Sequence, residues 1–285
     1  MIEAATYTLA YSPCPNDTYT FAALANGLLD GPVPAVRTAL ADVESLNEAA
    51  ERGTYELTKI SYGAAPYLTD RYRILRSGGA LGRGCGPLLV TLPGRLERLD
   101  SLQGKRVAIP GERTTAFLLL RLALHDAGAS GIEPVAMRFD RIISAVAQGS
   151  VDAGLIIHES RFTYRGSGLE AALDLGDWWE SQTDLPIPLG AILARSDIGI
   201  ARSGTIGDAI RRSLAFARAH EERVMPYVRQ HAFEMDEGVI RKHIALYVNE
   251  FTEDIGEEGE AAVHELFARA LAAGILTKPA EPRFL

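Results

Sequence analysis

Short apolar runs recur along the chain, and each ends in a polar loop that leads into a segment with helical spacing. Runs of this kind cover residues 7–11, 34–40, 56–60 and 151–157. Strands that alternate with helices predict βα units and a parallel sheet, because parallel strands need a long crossover connection. The carboxyl ends of such strands meet at one edge of the sheet, where open α/β sheets bind ligands. The sequence therefore predicts an α/β fold whose polar strand ends converge on one cleft.

The most reactive of these strand ends lies in the segment from Gly154 to Tyr164. Its apolar residues end directly on His158 and Glu159, which are followed by a hydroxyl and a guanidinium group. An imidazole at this position can transfer protons near neutral pH, although a structural histidine bonded to loop carbonyls fits it too. The other five histidines fall in predicted helices and are expected at the surface: His125, His220, His231, His243 and His264. We therefore predict that His158 is the functional histidine of the cleft.

Polar groups also follow the other strands. The loop of residues 12–18 is stiffened by two prolines and ends in residues that cap helices. The next two strands lead to Asp42 and to Lys59 with Ser61, and Asn47 lies about one turn into the helix that Asp42 caps. Helix capping or turn formation would explain each of these polar groups alone. The groups occupy equivalent positions in successive βα units, however, and this favours a shared ligand cleft. The first loop contributes Ser12, Cys14, Asn16 and Asp17 to that prediction.

A later βα loop carries two consecutive threonines, Thr114 and Thr115, at the start of a predicted helix. Hydroxyls and free amides meet there, near the positive end of the helix dipole. This arrangement suits a carboxylate or a phosphate. Simple capping of the helix by Thr114 is the alternative interpretation.

Glycines are concentrated between residues 77 and 86. No switch from strand to helix follows them, which excludes a dinucleotide fingerprint, and no Walker lysine motif occurs. The glycines allow either close approach of a ligand or backbone, or a flexible connection. The two cysteines, Cys14 and Cys85, are too few and too far apart for a metal knuckle, and both are predicted to be free thiols.

The length and the apolar content of the chain favour two domains over one. The apolar segments 87–92 and 189–194 are predicted to pair as a two-strand hinge. Lobe 1 would then comprise residues 1–92 and 193–285, and lobe 2 would be the inserted segment 93–192. Four predicted helices end lobe 1, at about 206–219, 221–230, 236–248 and 256–273, and they offer a surface for a homo-oligomer.

A net charge of −8 argues against nucleic acid or an anionic membrane as a partner. No segment approaches the roughly 18 apolar residues of a membrane span. The first residues do not place a basic region before an apolar stretch, as a secretion signal does. We therefore expect a soluble, cytoplasmic protein.

Three segments resemble the 1,4-dihydroxy-6-naphthoate synthase family of the futalosine pathway of menaquinone biosynthesis: Ser12 to Thr18, Ser77 to Gly82 and, above all, Gly154 to Tyr164. The similarity extends over nearly the whole chain. It implies a two-lobed fold like that of type II periplasmic binding proteins, with a ligand cleft between the lobes. It also implies a carbon-carbon lyase that converts cyclic dehypoxanthinyl futalosine into 1,4-dihydroxy-6-naphthoate and dihydroxyacetone, without a metal or an organic cofactor.

The same resemblance assigns roles to individual residues. His158 matches the proton acceptor of the family. Two further segments match its substrate contacts, namely Lys59, Ile60 and Ser61, and Thr114 with Thr115. A substrate that is a small-molecule carboxylate agrees with the anion site argued above. Asp42, Asn47 and the loop of residues 12–18 rest on position alone.

Two alternatives share this architecture. Chorismate dehydratase belongs to the same pathway, and a non-catalytic small-molecule binding protein has the same fold. The succession His158, Glu159, Ser160 favours the naphthoate synthase over the dehydratase. A binding protein would need export or an anchor, and neither is visible in the sequence.

Overall fold

The structure is a computed structural model that describes residues 6–129, 131–233 and 236–285. These residues form two five-stranded sheets. The first sheet has the order β2-β1-β3-β10-β4 and consists of β1 Tyr7–Tyr11, β2 Val36–Leu40, β3 Leu57–Ser61, β4 Tyr72–Gly82 and β10 Ile187–Arg195. The second has the order β7-β6-β8-β5-β9 and consists of β5 Leu88–Thr91, β6 Arg106–Ile109, β7 Glu133–Ala136, β8 Ala153–Ile156 and β9 Glu170–Asp174.

Each sheet has a parallel core with antiparallel additions. In the first sheet β1 pairs in parallel with β2 and β3, and β10 runs antiparallel to β3 and β4. In the second, β6 pairs in parallel with β7 and β8, and β5 runs antiparallel to β8 and β9. The parallel strands are connected through helices, as the sequence pattern predicts, so the predicted α/β class is confirmed.

Helices follow the strands and form the C-terminal part of the chain. The helices are α1 Pro15–Ala25, α2 Val43–Glu51, α3 Thr115–Asp126, α4 Phe139–Ala147, α5 Ser160–Thr163, α6 Leu175–Thr183, α7 Ile200–Ala219, α8 Glu221–His231, α9 Glu237–Tyr247, α10 Glu250–Glu253 and α11 Gly256–Ala272. Among these described helices, none has both the length and the apolar character that a membrane span needs. Residues 1–5, on which part of the localisation prediction rests, lie outside the described residues.

The predicted hinge pairing between segments 87–92 and 189–194 is wrong. β5 lies between β8 and β9 of the second sheet, whereas β10 lies between β3 and β4 of the first. Both strands are almost entirely buried, and apolar character alone does not select a partner. The chain thus passes between the sheets after β4 and returns before β10. The lobe boundaries at 92/93 and 192/193 remain a prediction. β5 precedes the first of these boundaries, yet it belongs to the second sheet.

One glycine of the 77–86 segment has a clear structural reason. β4 continues through this segment to Gly82, and Gly78 within it has a φ of +83°. A Cβ atom at Gly78 would lie 2.9 Å from Cγ1 of Ile192 on β10. The glycine therefore allows β4 and the side chains beneath it to approach closely.

The largest buried apolar cluster contains residues from both sheets and from the last helix, among them Ile60, Leu119, Trp179 and Val263. The last helix, α11, contacts both α3 and β10. It therefore packs against both sheet units. The predicted use of the C-terminal helices as an oligomer surface stays a prediction.

Candidate active site

A cleft lies where β1, β3 and β8 end and where α3 begins. It leaves about 660 Å³ of empty space, part of it open to solvent. Most of the predicted site residues line it, namely Ser12, Asn16, Asp17, Lys59, Ile60, Ser61, Thr114, Thr115 and His158. The convergence of polar strand ends that the sequence predicts is therefore present.

Three predicted site residues do not line this cleft: Cys14, Asp42 and Asn47. Cys14 is buried at the N-cap position of α1. Asp42 is the N-cap of α2, and its carboxylate accepts hydrogen bonds from two backbone amides of that helix. Asn47 is fully buried and forms hydrogen bonds with Ser61, which lines the cleft. Asp42 and Asn47 thus support the site through other residues, because their polar atoms bond to the protein.

A buried ion pair forms part of the wall. The Nζ atom of Lys59 lies 2.6 Å from Oδ1 of Asp17, and the two residues are 5% and 2% exposed. Asp17 also accepts hydrogen bonds from Oγ of Ser12 and from Nδ2 of Asn16, at 2.7 and 2.9 Å. These bonds compensate the burial of the carboxylate. An ammonium group has three donors, so Lys59 retains capacity for a ligand.

Ser61 is oriented from behind by Asn47. The backbone amide of Ser61 donates to Oδ1 of Asn47 at 2.8 Å, and Nδ2 of Asn47 donates to Oε2 of Glu44 at the same distance. The other oxygen of Glu44 accepts from the backbone amide of Arg113 at 3.0 Å, and burial raises the pKa of this carboxyl. Glu44 therefore links the Ser61 wall of the cleft to the loop that precedes α3.

Both threonine hydroxyls at the start of α3 form hydrogen bonds within the protein. Thr114 is the N-cap, and its Oγ1 donates to the carbonyl of Gly111 and accepts from the amide of Phe117. The Oγ1 of Thr115 donates to the carbonyl of Leu189 and accepts from the amide of Gly63. The first amides of α3 have no acceptor within the helix. A carboxylate ligand would therefore meet amides here more readily than free hydroxyls.

His158 directly follows β8 and lies in a backbone conformation that is uncommon for residues with a side chain. Its φ is 58°, and strain of this kind persists mainly at functional sites. The imidazole packs edge-on against Phe139, with ring centroids 4.9 Å apart. Burial lowers the pKa of His158 to about 4, although Asp17 acts in the opposite direction. The ring is therefore neutral at physiological pH and able to accept a proton.

A second histidine, which the sequence analysis places at the surface, lines the same cleft. His243 on α9 is 1% exposed, so the surface prediction is wrong for this residue. Its Nε2 lies 3.0 Å from Oδ1 of Asn16, and burial lowers its pKa well below the ordinary value. Because the amide group of Asn16 donates to Asp17, Oδ1 of Asn16 is the acceptor and Nε2 of His243 carries the proton. A neutral imidazole of fixed tautomer therefore faces the Lys59 and Asp17 pair.

The sequence does contain a signal for His243. Ile240, His243 and Tyr247 recur at helical spacing, and these are the buried residues of α9. Tyr247 also lines the cleft, as do Val43, Ala80, Gly86, Pro87, Ala116, Ile157, Leu189 and Gly190. A histidine on the apolar face of a helix is a better candidate for a buried site than one on the charged face.

Comparison with known proteins agrees with this geometry. The family described as Menaquinone biosynthesis matches residues 7–272. A curated 1,4-dihydroxy-6-naphthoate synthase of Thermus thermophilus is 52% identical over 97% of this chain and 98% of its own length. The synthase of Streptomyces coelicolor is 48% identical over 96% of both chains.

Solved structures extend the comparison to the fold. A protein of Archaeoglobus fulgidus with 38% identity superposes with a TM-score of 0.87 over 95% of this chain and 98% of its own. The periplasmic aliphatic sulphonate binding protein of Escherichia coli has 16% identity and a TM-score of 0.67, over 98% and 93% of the two chains. This second likeness confirms the predicted fold of periplasmic binding proteins. The resemblance first drawn from three sequence segments is thereby confirmed as well, and the chain belongs to the menaquinone biosynthesis family of enzymes.

Proposed function

We propose that this chain is a 1,4-dihydroxy-6-naphthoate synthase. It converts cyclic dehypoxanthinyl futalosine into 1,4-dihydroxy-6-naphthoate with release of dihydroxyacetone, as a carbon-carbon lyase that needs no cofactor. The observation that carries the proposal is the neutral imidazole of His158 at the end of β8, in a cleft that also holds a buried cation and a helix N-terminus. The curated relatives are named for the product, 1,4-dihydroxy-6-naphthoate, and the family resemblance implies the substrate.

Cleavage of a carbon-carbon bond next to a carbonyl requires a base and a group that stabilises the developing enolate. His158 is neutral and lines the cleft, so we assign it as the base that removes the proton. The resulting imidazolium then serves as the acid that returns a proton to a product. Lys59 is a buried cation that lines the same cleft. It stabilises the negative charge that develops, with Asp17 holding its ammonium in place.

The aromatic carboxylate of the substrate would be bound at the N-terminus of α3. The amides there are free of helical acceptors, and the helix dipole favours negative charge. Ile60 and Ser61 on β3 form the opposite contact segment, with Ser61 held by Asn47. The residues of both contact segments are buried, and the low polarity around them strengthens each electrostatic contact.

The purified protein tests this proposal when it is mixed separately with cyclic dehypoxanthinyl futalosine and with chorismate. We expect 1,4-dihydroxy-6-naphthoate from the first substrate and no dehydration of the second, measured by liquid chromatography with mass detection. Conversion of chorismate alone would assign the dehydratase activity instead. Binding of either compound without turnover would indicate a binding protein.

The pH profile of kcat/KM tests the state of the proposed base. His158 accepts a proton only when neutral, so activity is present above its pKa and lost as the pH falls through it. With a pKa of about 4, kcat/KM should change by less than about twofold between pH 8 and about 5.5. An imidazole with the ordinary pKa of about 6.5 would lose about tenfold over the same interval. A tenfold loss would therefore contradict the burial argument for His158.

Replacing Thr114 and Thr115 together by Ala tests the anion site. The hydroxyls fix the start of α3 to Gly111 and Leu189, so their loss should displace the amides that face the carboxylate. We expect weaker substrate binding by about 1 to 3 kcal/mol, measured by titration calorimetry with product. The matched double variant, Thr114→Ser with Thr115→Ser, keeps both hydroxyls and should bind nearly as the native chain does. Unchanged binding in the Ala variant would place the carboxylate elsewhere.

A further inference from the structure

A cluster of three different metal-binding side chains lies beside the proposed base. Cys14, His158 and Glu159 each offer one ligand atom, and these atoms lie within 4.8 Å of one another. Cys14 comes from the loop after β1 in the first sheet, whereas His158 and Glu159 follow β8 in the second. We propose that these three residues bind a thiophilic divalent cation, of which Zn²⁺ is the representative, and that the bound ion inhibits the enzyme.

The backbone at His158 brings two consecutive side chains to one place. Neighbouring residues of an extended strand point to opposite faces of the sheet. His158 leaves that pattern with its φ of 58°, and His158 and Glu159 then reach the same point near the thiol of Cys14. The cluster therefore depends on the same unusual conformation that places His158 in the cleft.

The ligand types select the class of ion. A thiolate, an imidazole and a carboxylate are the side chains that bind Zn²⁺, whereas Mg²⁺ and Ca²⁺ prefer oxygen ligands alone. Zinc-to-ligand distances of about 2.0 to 2.3 Å in a tetrahedral site place the ligand atoms about 3.3 to 3.8 Å apart. The three groups would need to approach by at most about 1 to 1.5 Å. Since His158 lines the cleft, the fourth position of the ion can open toward it.

Charge also favours a dication at this point. Cys14 and Glu159 are 1% and 5% exposed. A bound dication would displace the thiol proton and balance the charges of the thiolate and the carboxylate.

Inhibition follows from the use of His158, and this part rests on the proposed function. A ring nitrogen that donates its lone pair to the ion cannot accept a proton from the substrate. The ion would also connect the loop after β1 to the end of β8. We therefore expect Zn²⁺ to abolish turnover reversibly, with recovery after addition of a chelator.

Zinc binding is tested directly on chelator-treated protein by competition with a chromophoric chelator. We expect one Zn²⁺ per chain in the native protein, and Cys14→Ser and Glu159→Gln should each weaken the affinity by at least about tenfold to a hundredfold, since outer-shell changes alone have that effect. Cys85→Ser removes the other buried free thiol and should bind Zn²⁺ as the native chain does. Thermal melting without metal verifies that each variant is folded. Equal Zn²⁺ affinity in the native protein and in both Cys14→Ser and Glu159→Gln would overturn the site.

The activity measurement is kept separate from the binding measurement. The rate of each protein with Zn²⁺ is divided by the rate of the same protein without metal. Zn²⁺ should lower this ratio for the native chain and for Cys85→Ser. At the same Zn²⁺ concentrations, the ratio for Cys14→Ser should stay close to one. Zinc that binds at this site without inhibition would overturn the inhibitory role. Absence of naphthoate formation by metal-free native protein would contradict the proposed function and leave the binding result intact.

Discussion

Replacement of His158 by Asn should lower kcat by about a hundredfold to ten-thousandfold, the range that a general acid-base group contributes. Asn keeps part of the size and hydrogen bonding of the imidazole but cannot transfer a proton near neutral pH. It also tolerates the left-handed backbone conformation that His158 adopts, so the fold of the loop should survive. The measurement is the rate of naphthoate formation by the purified variant at saturating substrate.

A binding assay on the same variant separates loss of chemistry from loss of the site. Product affinity should stay within about threefold of the native value, because the proposed carboxylate contacts lie at the start of α3 and not at His158. A loss of turnover below about tenfold would fall short of the expected range and move the base elsewhere. Glu159 and His243 are then the residues to replace next, since the first adjoins the base and the second lines the cleft.

Separating the buried ion pair should have the largest effect on stability. Lys59→Met leaves the carboxylate of Asp17 buried without its cation, and we expect the free energy of unfolding to fall by about 3 to 5 kcal/mol. The double variant Lys59→Met with Asp17→Asn removes both charges and should recover much of that loss. Urea unfolding followed by circular dichroism measures the native protein, both single variants (Lys59→Met and Asp17→Asn) and the double variant.

An exposed ion pair provides the matched control for this experiment. At the surface, Nη2 of Arg98 lies 2.9 Å from Oδ2 of Asp100. Arg98→Met should leave the urea midpoint unchanged within error, because exposed ion pairs contribute little to stability. If the double variant is as unstable as the sum of its two single variants, the charges do not stabilise one another and the argument for a fixed cation fails. Activity should be lost in Lys59→Met and should stay low in the more stable double variant, because both lack the ammonium.

The sequence predicts well what is determined locally. β1 has the predicted bounds, and His158, Lys59 and Thr114 lie in the cleft because residues that follow strands or begin helices are brought to one edge by the α/β topology. The location of these residues in the cleft can be predicted without knowing which strands pair. The hydrogen bonding of Thr115 cannot be predicted in this way, because its hydroxyl donates to the carbonyl of Leu189 on a strand that is distant in sequence.

Contacts between distant segments account for the errors. The strands β5 and β10 are both largely apolar and buried, and nothing in either run distinguishes a partner in the first sheet from one in the second. His243 reaches the cleft because α9 packs against α1, the helix that follows β1, where Oδ1 of Asn16 accepts a hydrogen bond from Nε2 of His243. The spacing of apolar residues places His243 on the apolar face of α9. That spacing does not indicate which part of the protein this face packs against.

Cleavage of one carbon-carbon bond in this cleft is the central claim, and the most direct measurement is the mass balance of a complete reaction. The native protein is incubated with cyclic dehypoxanthinyl futalosine after chelator treatment, and naphthoate and dihydroxyacetone are quantified together over time. We predict equal amounts of the two products at every time point, each equal to the substrate consumed, with both absent in the His158→Asn variant over the same period. Naphthoate without an equal amount of dihydroxyacetone, or equal yields from the native protein and the variant, would contradict the account.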